Sequence, residues 1–157
     1  MFAARTAEAK DAAAAVEVVR RSITELCMAD HHGDAETLAK WLSNKTVPTF
    51  AAWFSRDDNF CVIAESAGRV VGVGLLHRSG EINLFYLAPG VQRRGIGKAI
   101  HATLEERARA WALRGLRLDS TALARPFYEK LGYRPAGARK PSFGVLHVYP
   151  YEKTLRS

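Results

Sequence analysis

Between Leu87 and Lys98 the chain reads Leu-Ala-Pro-Gly-Val-Gln-Arg-Arg-Gly-Ile-Gly-Lys. A strand-like run ends here, a loop with spaced glycines follows, and a long helical pattern begins. The first turn of a helix carries backbone N–H groups without intrahelical partners, and with them a partial positive charge. Glycines at Gly95 and Gly97 would let a phosphate come close to that backbone. Arg93, Arg94 and Lys98 add cationic charge beside it. The chemistry is that of a diphosphate cradle.

The two familiar nucleotide loops do not fit. A P-loop needs Ser or Thr after its Gly-Lys and a glycine further upstream. Here Gly97-Lys98 runs into Ala99, and Gln92 stands where the upstream glycine belongs. A dinucleotide fingerprint needs a third glycine, but Gly95-Ile96-Gly97 continues Lys98-Ala99-Ile100. Gly72-Val73-Gly74 lies inside a strand pattern with no helix after it.

Other reactive residue types are less organised. His31-His32-x-Asp34 has no third or fourth ligand at a useful spacing, so no metal site is expected. Cys27 and Cys61 lack both a disulfide framework and a neighbouring base. They read as small buried thiols, reduced in a cytosolic protein.

The elements that must position the cradle follow from periodicity. Apolar residues recur at helical spacing over Ala9–Cys27 and Ala35–Leu42, the second with Asp34 as N-cap. Thr46-Val47-Pro48 reads as a break, with a short helix over Thr49–Phe54. The period then changes to strands over Phe60–Glu65, Val70–His77 and Glu81–Leu87, joined by short turns as an antiparallel meander. A helix over Gly95–Leu113, a strand over Leu116–Asp119, a helix over Ala122–Leu131 and a strand over Val145–Lys153 complete the order. The expected fold is a single α/β (α+β) domain over 1–157, with a mixed, mostly antiparallel central sheet flanked by helices.

Composition sets bounds on function. Of 157 residues, 48% are apolar and 25% charged, ordinary for a globular domain. The longest apolar run, near Val70–Leu76, is far short of a membrane span, and no leader pattern opens the chain. The net charge of +7 is unevenly placed. Met1–Gly90 holds 9 Lys/Arg against 11 Asp/Glu, and Val91–Ser157 holds 14 against 5. A basic half suits nucleic acid, an acidic surface or a phosphorylated cofactor, or is simply a solvated face. No stacking or recognition-helix pattern accompanies it, so nucleic acid is not expected.

Gln92-x-x-Gly95-x-Gly97, opening a helix after a strand and a proline, resembles the cofactor motif of the GCN5-related N-acetyltransferases. Ser120–Tyr133 resembles that family's second signature, Asn-x-x-Ala-x-x-Phe-Tyr-x-x-x-Gly-Phe/Tyr, with Thr121 where Asn is frequent. The likeness covers about Phe60–Tyr133 well. It implies a cofactor-binding core over 60–133, a helical acceptor-side region over 1–59 and a C-terminal strand region over 134–157.

The resemblance implies acetyl-CoA as cofactor and an N-acetyltransferase acting on a primary amine by direct transfer in a ternary complex. The implied cofactor contacts are Gln92, Arg93, Arg94, Gly95, Ile96, Gly97 and Lys98 at the pyrophosphate, and the backbone of Phe85, Tyr86 and Leu87 along the pantetheine arm. Thr121 is a weaker contact. Tyr128 is implied as the acid for the departing thiolate, and Glu81, eleven positions before Gln92, as the base for the acceptor ammonium. Because side chains alternate along a strand, Phe85 and Tyr86 are not both expected in the core. Trp41, Asn44, Lys45 and Trp53 fall where the acceptor side would lie. The acceptor, small molecule or protein amine, stays open, as does a sheet-edge homodimer. The alternative is a non-catalytic acyl-CoA-binding module.

Overall fold

The computed structural model describes residues 1–156. Strands β1 (Phe2–Thr6), β2 (Asn59–Ser66), β3 (Arg69–His77) and β4 (Ile82–Leu87) form one antiparallel sheet in that order. A second sheet orders β5 (Gly115–Ser120), β8 (His147–Thr154) and β6 (Arg134–Pro135), with β7 (Lys140–Pro141) also paired to β8. Helices α1 (Ala12–Leu26), α2 (Met28–His31), α3 (Ala35–Leu42) and α4 (Val47–Phe54) precede β2. Helix α5 (Ile96–Ala110) joins the sheets, and α6 (Arg125–Lys130) follows β5.

The first sheet is covered on both faces. Val19 and Ile23 of α1 are fully buried, as are Ile96, Ile100 and Leu104 of α5. Gly72 and Gly74 explain how closely α5 can lie. A Cβ at either position would come within 2.6 or 2.7 Å of the Ile100 side chain. The glycines in β3 are therefore a seat for α5.

The central expectation holds as antiparallel sheets flanked by helices, with several differences of detail. The sheet is not continuous. β4 and β5 run parallel and meet at a single bridge, Glu81 to Arg117, with Arg117 N donating to Gly80 O at 3.0 Å. Strand β1 was not expected, because Phe-Ala-Ala-Arg-Thr has little alternation. Its pairing with β2, Phe2 opposite Ser66 through Thr6 opposite Val62, supplies what local pattern does not. Thr46-Val47-Pro48 begins α4 rather than breaking the chain. The Thr46 hydroxyl accepts from Thr49 N, and proline is tolerated in a first turn. Helix α6 starts later than expected, at Arg125. Thr121 Oγ1 accepts from Ala124 N at 3.2 Å and holds the preceding residues in a turn.

Candidate active site

Past the Glu81–Arg117 bridge, β4 and β5 part, and a cleft of about 630 Å³ lies between them. One wall is β4, with Ile82, Asn83, Phe85, Tyr86 and Leu87; the other is β5, with Leu118, Asp119 and Ser120. The mouth is the start of α5, with Gln92, Arg93, Gly95, Ile96, Gly97 and Lys98. Thr121, Phe127 and Tyr128 close one side, and Ser22, Leu26 and Cys27 of the α1 end close the other.

The mouth is built for an anion. Gly95 caps α5 in the left-handed region at φ 81°, and Arg93 is also left-handed at φ 66°. These two left-handed residues flank Arg94 and lead directly into the first turn of α5, whose N–H groups have no intrahelical partner. The Gln92 side chain is occupied within the loop, donating to Ala88 O at 2.9 Å and accepting from Gly90 N at 3.0 Å. It shapes the cradle and leaves its backbone for a ligand. Arg94 stands apart. Its guanidinium donates to Ser66 Oγ at 3.3 Å, on the turn between β2 and β3, and it does not line the cleft.

Tyr128 lies deep in the cleft wall. It is buried, and its ring meets Phe85, Phe127 and Tyr133 at 5.9, 5.3 and 5.4 Å. Its hydroxyl makes no hydrogen bond to a described residue, and no buried side-chain oxygen among those residues is left unsatisfied. The hydroxyl therefore opens on the cleft. Burial raises the phenol above its ordinary range, so it stays protonated and keeps a proton to give. Tyr133, behind it, shares a 2.7 Å hydrogen bond with the buried His101.

Phe85 and Tyr86 point to opposite faces, as alternation requires, yet both are packed. Phe85 joins the aromatic cluster under α5 and α6. Tyr86 faces the other helices, where Trp41 Nε1 donates to its hydroxyl at 3.3 Å. Both rings are half-buried against the core and neither is fully enclosed in it, in keeping with the expectation that they would not both be core. Between them lies an irregularity that the sequence does not announce. Leu84 pairs with Leu75 and Ile82 with Leu76, so Asn83 is left unopposed as a β-bulge. Bulges re-aim side chains and free a backbone group from the ladder.

Glu81 does not reach the cleft. It sits at the bridge, half-exposed, with Arg117 Nε 3.6 Å from its carboxylate. Its position gives no support to a direct role as base. Cys27 does line the cleft, but burial pushes its thiol up to about 12, so it is not a ready nucleophile. His31 is a structural imidazole. Its Nδ1 accepts from Gly33 N, and its Nε2 bonds Ile23 O.

Sequence reasoning missed the contribution of α1 and α2. Buried Asp30 accepts from Ala122 N at 2.6 Å and Leu123 N at 3.4 Å, tying α2 to the loop that bears Thr121. No local pattern marks this pairing.

A sheet opened between two parallel strands, with a cationic, N–H-rich mouth, suits an extended anionic ligand. The chain belongs to the GNAT acetyltransferase family: the Acetyltransferase (GNAT) domain model matches residues 27–155. Curated proteins show no match. Among solved structures, a GCN5-related N-acetyltransferase from Rhodopseudomonas palustris is 26% identical with a TM-score of 0.87, covering 98% of this chain and 95% of that one. The PaiA N-acetyltransferase from Thermoplasma acidophilum, in complex with coenzyme A, is 18% identical with a TM-score of 0.81, covering 99% of each. The ribosomal-protein-S18-alanine N-acetyltransferase from Escherichia coli is 16% identical with a TM-score of 0.68, covering 98% and 94%.

Proposed function

We propose that the chain transfers an acetyl group from acetyl-CoA to a primary amine, directly and within a ternary complex. The observation that carries the reading is the single cleft running from the cradle at Gly95 to the Tyr128 hydroxyl. The α5 N–H groups, with Arg93 and Lys98, suit a pyrophosphate. The β4 edge left unpaired beyond the bridge suits the amides of a pantetheine arm, which would add to the sheet like a strand. One of its N–H groups would serve the thioester oxygen.

The unprotonated amine attacks the thioester carbonyl carbon, a C–N bond forms, and the C–S bond breaks. The departing sulfur takes the Tyr128 proton. The proton lost by the nitrogen passes to water, and solvent returns one to Tyr128. With Glu81 outside the cleft, the protein supplies mainly orientation and the acid.

The test is thiol release from acetyl-CoA over a panel of amines, with coenzyme A binding followed in parallel. Turnover on any amine supports the reading. Binding with no turnover on the panel favours the non-catalytic acyl-CoA module.

A further inference from the structure

A second cavity, of about 330 Å³, adjoins the cleft. The two share Asn83, the bulged residue of β4. The other walls include Asn44, Lys45, Trp53 and Asn59. No acidic side chain lines it.

Lys45 is the unusual member. It lies in the α3–α4 connection and is only 8% exposed. Its Nζ donates to Trp41 O at 3.1 Å and to Asn44 Oδ1 at 2.6 Å, both uncharged acceptors. An ammonium has three N–H donors, and these bonds use two. No described carboxylate pairs with it, and burial, unopposed by any neighbouring charge, pulls its amine down to about 8. A buried charge is costly without a partner. Its bond to Trp41 O also serves the carbonyl end of α3. Arg20 already donates to Leu42 O and Lys45 O at that end.

Resting on the acetyl-transfer reading above, we propose that this cavity holds a carboxylate of the acceptor, with Lys45 as its counter-charge. The acceptor is then a small amine that carries a carboxylate: its nitrogen enters the cleft past Asn83, and its carboxylate takes the third Lys45 N–H. The amides of Asn44, Asn59 and Asn83 provide neutral donors nearby, and Trp53 provides a flat wall. Polyamines and other polycations would set like charge against Lys45.

The experiment pairs short α- and ω-amino acids with their carboxamides and with cationic diamines, reading thiol release from acetyl-CoA. Binding of each compound is followed by thermal shift with coenzyme A present. At least one amino acid should exceed its carboxamide by about tenfold or more in kcat/KM, the ratio a single charge-assisted contact can give. Lys45→Met should bring that ratio near one, and Lys45→Arg should restore part of it. Retained stabilisation of both variants by coenzyme A shows that they fold; if Lys45→Met does not fold, the wild-type ratio decides. Turnover of diamines or carboxamides but not amino acids overturns the proposal and leaves acetyl transfer standing. Lys45-dependent binding of amino acids without turnover of any amine overturns acetyl transfer and leaves the anion site. Neither binding nor turnover removes both.

Discussion

The buried carboxylate of Asp30 accepts a hydrogen bond from Ala122 N at 2.6 Å, ninety-two positions along the chain. A second bond, from Leu123 N, falls on its other oxygen. The helices before β2 thereby hold the loop that carries Thr121 and leads into Tyr128. Asp30→Ala leaves two backbone donors without their partner. The expected loss is about 1–3 kcal/mol of stability, read from urea unfolding. The KM for acetyl-CoA should rise as the loop loosens. An unchanged midpoint and KM would show that the contact positions nothing.

Coenzyme A should stabilise the native protein. A ligand at a hundredfold excess over its Kd adds about 2.7 kcal/mol when it binds only the folded state. Gly95→Asp should remove the shift. The site lies at φ 81°, where a side chain is strained, and the new carboxylate would face the pyrophosphate. Thermal shift with and without coenzyme A is the measurement. A variant still stabilised like the wild type would place the cradle elsewhere.

Tyr128→Phe should lower kcat by about 10- to 1,000-fold with acetyl-CoA affinity nearly constant, because a general acid is typically worth 10²–10⁴ and water replaces it in part. Glu81→Gln should leave kcat within about threefold across pH, since its carboxylate lies at the strand bridge and pairs with Arg117. A steep loss at low pH in the Glu81 variant would make it a base acting through water. Equal activity in the Tyr128 variant would reduce that residue to packing.

What could be read in advance was local. The cradle declared itself because glycine, arginine and the start of a helix fall within a dozen residues. Tyr128 was marked by resemblance to a family signature, and it lines the cleft. The bulge at Asn83 was invisible, since it exists only as a mismatch of register between β3 and β4. Strand β1 and the Asp30 tether depend on partners about sixty and ninety residues away. Arg94 and Glu81 have the right types and spacing, yet Arg94 reaches Ser66, Glu81 pairs with Arg117, and neither lines the cleft. Spacing along a chain does not say which way a side chain leaves the backbone.

The buried imidazole of His101 gives the fold a pH dependence of known sign. Burial, with Lys153 nearby and only partly offset by Glu105, draws His101 down to about 4 from an ordinary value of 6.5. The unfolded chain therefore takes up a proton near pH 6.5, and the native state only near pH 4. Between these values the unfolded state binds more protons, so stability falls as the pH falls. The contribution is fully present above about pH 6.5 and lost by about pH 4, a span worth about 3 kcal/mol. His101→Gln keeps a polar partner for the Tyr133 hydroxyl and does not titrate. Urea midpoints measured from pH 7.5 to 4 should converge, the wild type losing stability more steeply than the variant by up to about 1.4 kcal/mol per pH unit. Carboxylates titrate in both proteins and largely cancel in the difference. Parallel curves would mean that the native imidazole accepts its proton as readily as the unfolded one.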